Sequence, residues 1–150
     1  MDDIDISEGS PPLRLLVADS ACDPEGPLMN ELFESDDIEV VGRARKAIEA
    51  LTLSEQLHPD AVLLDIEMPG ETLQFVLELL KRRKPAPVVL VVIPYASSVL
   101  RDRVLDAGAD HAFPRTAQPD RLLALLRKIA ADRNAGQRVK PVQKNSSFCV

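Results

Sequence analysis

Three side chains with chemical potential follow apolar runs of strand length. Asp19 comes after Leu13–Ala18, Asp65 closes Ala61–Asp65, and Arg115 lies just past His111–Phe113. If the runs are neighbouring strands, two carboxylates and a guanidinium converge on one edge of a sheet. Clustered carboxylates repel each other unless a cation intervenes, which suits a hard divalent ion such as Mg2+. Arg115 is the other available source of positive charge. The plainer reading makes Asp19 a turn residue capping the first helix and Asp65 a strand-end acid paired to Arg115. Spacing alone leaves both open. His58 and His111 have no partners at metal-ligand spacing and read as surface residues. Cys22 has no resolving cysteine beside it and reads as structural.

The elements that must position these groups alternate along the chain. Leu13–Ala18, Ile38–Arg43, Ala61–Asp65, Val88–Ile93 and His111–Phe113 read as strands, several of them near-continuous Val, Leu and Ile. Such runs suit strands covered on both faces, as in a parallel sheet. Helices are expected near Pro27–Glu34, Lys46–Leu57, Leu73–Arg83, Ser97–Ala107 and Asp120–Asp132. In the last, Leu122, Leu125, Leu126 and Ile129 share one stripe; Val99, Leu100 and Val104 do the same in the fourth. Strand–helix alternation of this kind implies a doubly wound α/β fold, whose ligand site lies beyond the carboxyl ends of its strands.

The 150 residues carry a net charge of -6, which speaks against a nucleic-acid-binding domain with its basic patch. No apolar run reaches the roughly 20 residues of a membrane span. The acidic N-terminus (Asp2, Asp3, Asp5, Glu8) is unlike a signal peptide. Two cysteines, Cys22 and Cys149, make no disulfide framework, and a cytoplasmic location is expected. Residues 1–12 read as an acidic disordered tail. Residues 133–150, with Arg133, Arg138, Lys140 and Lys144 and no acid, read as a flexible basic tail. There is no Gly-rich phosphate loop, nucleophile elbow or His–Cys pairing to suggest an enzyme, and no DNA-binding region is expected after residue 132.

The run Asp60-Ala61-Val62-Leu63-Leu64-Asp65-Ile66-Glu67-Met68-Pro69-Gly70 resembles the phosphoacceptor segment of response-regulator receiver domains. Leu15-Leu16-Val17-Ala18-Asp19 resembles their first strand and its acidic end. Ile38-Glu39-Val40-Val41-Gly42 is similar to their second strand, and Ala107-Gly108-Ala109-Asp110 to the turn before the fifth. The resemblance covers about Leu13 to Ala131 and implies a flavodoxin-like (βα)5 fold for residues 13–132. It further implies that Asp65 accepts a phosphoryl group from a histidine kinase. Mg2+ would be held by Asp19, Asp65 and the backbone of Glu67, and Arg115 would stand where the family has its lysine.

Several positions depart from that pattern. The family's second upstream acid falls on Ser20, a neutral hydroxyl. The hydroxyl after the fourth strand falls on Ile93, and the next residue, Pro94, has no backbone N–H to offer a phosphoryl oxygen. The aromatic switch position falls on Ala112, with Phe113 and Tyr95 out of register. Leu73 stands where the family often has glycine. Losing one donor to a developing charge typically costs about 2.7–4 kcal/mol, so slow phosphorylation is expected, and with Ser20 in place of an acid Mg2+ is expected to bind weakly or not at all. The resemblance therefore implies a stand-alone, atypical signalling protein of a two-component phosphorelay. Its output would be contact with a kinase, a target or a second copy, with Leu123, Ala124 and Ala130 as a candidate dimer face. The alternative is a phosphorylation-independent pseudo-receiver acting as a constitutive interaction or dimerisation module.

Overall fold

Leu13–Ala18 (β1), Ile38–Ala44 (β2), Ala61–Asp65 (β3), Val88–Ile93 (β4) and His111–Pro114 (β5) form one sheet in the order β2-β1-β3-β4-β5. All the pairings are parallel. The computed structural model describes residues 11–19 and 27–133. Expectations on residues 1–10 and 134–150, and on Ser20 and Cys22, lie outside those residues. The helices are Pro27–Glu34 (α1), Ala47–Leu57 (α2), Leu73–Arg82 (α3), Ser98–Asp106 (α4) and a final one over residues 119–133 (α5).

Strand alternation sorts the core into two layers. Leu13, Leu15 and Val17 of β1 point to one face with Leu63, Leu90 and Val92, and meet Met29 and Leu32 of α1 and Leu122, Leu126 and Ile129 of α5. Leu16, Ala18, Val62, Leu64, Val91 and Ile93 point to the other, against Ala47 and Ala50 of α2, Val76, Leu77 and Leu80 of α3, and Val104 of α4. The central strands are thus buried on both sides, which is why β3 and β4 carry unbroken apolar runs. β2 and β5 lie at the edges, and most of their residues keep some exposure.

Three expectations change. Leu123 and Ala130 belong to the core against the sheet, because α5 buries a face wider than one leucine stripe; of the candidate dimer residues only Ala124 is exposed. Val99, expected on the buried stripe of α4, is 66% exposed in the first turn of that helix. Arg133, read with the basic tail, lies in α5, and its Nη2 is 2.7 Å from Asp60 Oδ1. Helix ends also move slightly. Lys46, Arg83, Ser97 and Ala107 are caps rather than helical residues.

Candidate functional site at the carboxyl edge of the sheet

Each strand end delivers its residue for a local reason. Asp19 leaves β1 with its N–H donating to Ala44 O of β2 at 3.0 Å. Asp65 closes β3, and Ile66 N–H continues the ladder to Val92 O at 3.0 Å. Arg115 follows β5, and its N–H donates to Ile93 O at 2.7 Å, which fixes its backbone beside the end of β4. Neighbouring strands lie about 4.8 Å apart, so reaching β3 from β5 means crossing about 10 Å. Only a long side chain does that.

Arg115 makes the crossing. Its Nη2 is 2.9 Å from Asp65 Oδ1, and its Nη1 is 3.5 Å from Asp19 Oδ2. The three residues expected to converge are therefore together. Asp65 is only 2% exposed, whereas the Asp19 and Arg115 side chains are partly solvated. Burial alone would lower the Arg115 pKa, but its hydrogen bond to Asp65 and the charges of Asp65, Asp19 and Glu67 outweigh this and raise it. A guanidinium is charged at any accessible pH in any case.

The Glu67 backbone donates to the same Asp65 carboxylate. Its N–H reaches Asp65 Oδ1 at 2.9 Å, and Met68 N–H reaches Asp65 O at 3.1 Å. Asp65 thus folds the following turn around its own carboxylate, a bond pattern aspartate favours two residues on. The loop is then docked on α2. Lys46 offers that helix no side-chain cap, and Pro69 O accepts Ala47 N–H at 3.0 Å instead. Gly70 has φ +116°, and a Cβ there would lie 3.2 Å from Ala47 Cβ. In the sequence, Gly70 after Met68-Pro69 is the trace this docking leaves.

The positions expected to depart from the receiver pattern are placed as follows. Ile93 is buried in the α2–α4 layer. Ala112 packs against that same layer, while Phe113 faces the α1–α5 layer, so the aromatic ring sits on the opposite side of the sheet. Tyr95 is exposed. Ser97, a hydroxyl in the loop after β4, caps α4 by accepting Leu100 N–H at 3.2 Å. His58 is exposed at the end of α2 in a left-handed conformation (φ 50°), and His111 is half-buried in β5.

The donor set for a divalent ion is limited. Among the described residues, no group of three or more His, Cys, Asp or Glu side chains is arranged to hold a metal. The two acids at the sheet edge both face the Arg115 guanidinium. As arranged, these residues do not fit Mg2+ as well as they fit the arginine.

An open parallel sheet layered by helices on both faces, with Asp19, Asp65 and Arg115 together at its carboxyl edge, defines a flavodoxin-like α/β protein. The family described as response regulator receiver domain matches residues 26–127, and the chain belongs to that family, the receivers of two-component signalling. The protein-glutamate methylesterase/protein-glutamine glutaminase 1 of Caulobacter vibrioides is 34% identical over 120 residues, which are 79% of this chain and 35% of that protein. The corresponding Symbiobacterium thermophilum protein is 43% identical over 125 residues, 81% of this chain and 33% of that one. The chain thus spans about a third of the length of these relatives. The response regulator domain of Thermotoga maritima CheB superposes with a TM-score of 0.69 at 24% identity, covering 80% of this chain and 97% of that one. No helix among the described residues is long and apolar enough to cross a membrane.

Proposed function

We propose that this chain is an atypical receiver in which Asp65 occupies the phosphoacceptor position and signals by protein–protein contact, with a histidine kinase or another signalling protein as partner. The observation that carries the reading is the Asp19–Arg115–Asp65 cluster at the carboxyl edge of the sheet. A carboxylate attacking phosphorus approaches an anion, so a fixed cation beside it lowers the repulsion. In the transfer, an Asp65 carboxylate oxygen forms the new P–O bond. The bond to the donor breaks, and the leaving group takes the electron pair. Arg115 holds Asp65 in place and faces the charge that arrives. The methylesterase activity named for the relatives belongs to proteins about three times this chain's length, and we assign this chain the receiving role.

A second reading is favoured by a specific observation. Ile93 is buried in the apolar layer, Pro94 has no N–H, and Ala112 provides no ring. A phosphoryl group meeting so few donors gives little differential stabilisation to a second surface state. On this reading Arg115 holds one state permanently and the chain is a constitutive interaction module. Incubation with Mg2+ and acetyl phosphate followed by intact mass analysis separates the two. A gain of one phosphoryl mass that Asp65→Asn abolishes supports the first reading. No gain at long incubation, with the fold intact, rejects it in favour of the second.

A further inference from the structure

We propose that Arg115 is an internal counter-ion that occupies the Asp19–Asp65 pair in place of a divalent metal, so that Mg2+ enters only as the guanidinium leaves. The location rests on the receiver reading above, but phosphorylation of Asp65 is not required. The guanidinium splits its fork, Nη2 to Asp65 Oδ1 at 2.9 Å and Nη1 to Asp19 Oδ2 at 3.5 Å. One side chain thereby serves both acids. The Asp65 oxygen it uses also accepts Glu67 N–H at 2.9 Å, which fills the two lone pairs of that atom.

Charge and hydration point the same way. A divalent ion held by these acids would sit beside a permanent positive charge, and the repulsion weakens its binding. Mg2+ also gives up water reluctantly and keeps several waters when bound. Asp65 is almost fully buried beneath its neighbours, Arg115 among them, so room for a hydrated ion requires the arginine to move. Lysine would be a weaker competitor, because its ammonium is a compact, strongly hydrated point charge without the planar fork.

Calorimetric titration of the full chain with MgCl2 tests this, with amide NMR following Ile66 and Glu67. Arg115→Met is expected to bind Mg2+ roughly tenfold more tightly than the parent chain, with the Glu67 amide shifting on binding. Arg115→Lys should fall between, and Asp19→Asn added to Arg115→Met should remove the gain. Equal or weaker Mg2+ binding by Arg115→Met overturns the proposal. If that variant does not fold by circular dichroism, Arg115→Lys decides on the same terms. Tighter Mg2+ binding by the variant without phosphorylation of the parent rejects only the phosphoacceptor reading. Phosphorylation of Asp65 with unchanged Mg2+ affinity rejects only this inference.

Discussion

Arg115 and Asp65 stand two strands apart in the sheet, yet their Nη2 and Oδ1 atoms are 2.9 Å from each other across the end of β4. A buried carboxylate without a partner is costly, and a half-solvated arginine is an economical way to neutralise it, since only one of the two charges has lost its water. The Glu67 N–H completes the shell of that oxygen and makes the pair part of the turn after β3.

The pair should therefore couple energetically. In a double-mutant cycle with Asp65→Asn and Arg115→Met, urea unfolding is expected to give a coupling energy of about 1–2 kcal/mol. Solvent screening at Arg115, whose side chain is 39% exposed, keeps the value below that of a fully buried pair. Coupling indistinguishable from zero would mean that the contact is geometric only.

Ile93→Thr places a hydroxyl at the end of β4, where alternation aims the side chain into the α2–α4 layer. The lost methyl and the buried hydroxyl together should lower stability by about 2 kcal/mol, against about 1 kcal/mol for Ile93→Val. Denaturant midpoints with unchanged slope would read the difference. Equal losses for the two variants would show that the hydroxyl finds a partner.

Much of this arrangement was legible beforehand. Runs such as Val62-Leu63-Leu64 and Val89-Leu90-Val91 announce buried parallel strands, and such a sheet collects whatever follows its strands at one edge. Asp19, Asp65 and Arg115 could be brought together on that ground alone. That one guanidinium would reach both acids depends on its path over β4, which no periodicity encodes. Leu123 and Ala130 looked like flank residues because a stripe argument assumes a narrow contact, whereas α5 lies broadly on the sheet. The bond from Ala47 to Pro69 links segments more than twenty residues apart and leaves no local pattern. Composition groups Arg133 with its basic neighbours, although its partner, Asp60, lies far back in the chain.

Gly70→Ala should loosen the turn after Asp65. The φ of +116° is unfavourable for alanine, and the added methyl crowds Ala47 at 3.2 Å. A loss of about 1–3 kcal/mol is expected, with faster hydrogen exchange at the Ala47 amide. Gly108→Ala shares the backbone problem (φ +122°), but its methyl meets nothing closer than Leu77 Cβ at 3.8 Å, so it should cost less. The reverse order would place the strain elsewhere.

At the opposite edge of the sheet, Asp60 ties the start of β1 to the end of the described chain. Its Oδ2 accepts Arg14 N–H at 2.9 Å, and its Oδ1 meets Arg133 Nη2 at 2.7 Å. Asp60→Ala removes both and should cost about 1–2 kcal/mol, because the Arg14 amide loses its acceptor. Asp60→Asn keeps an acceptor for that amide and sacrifices mainly the ion pair, so about 0.5 kcal/mol is expected. Arg133→Ala should match Asp60→Asn and raise hydrogen exchange in the last turn of α5. Added salt should narrow the gap between parent and Arg133→Ala, since only the ion pair is screened. If Asp60→Asn proves as damaging as Asp60→Ala in unfolding measurements, the charge outweighs the amide bond and this ordering is wrong.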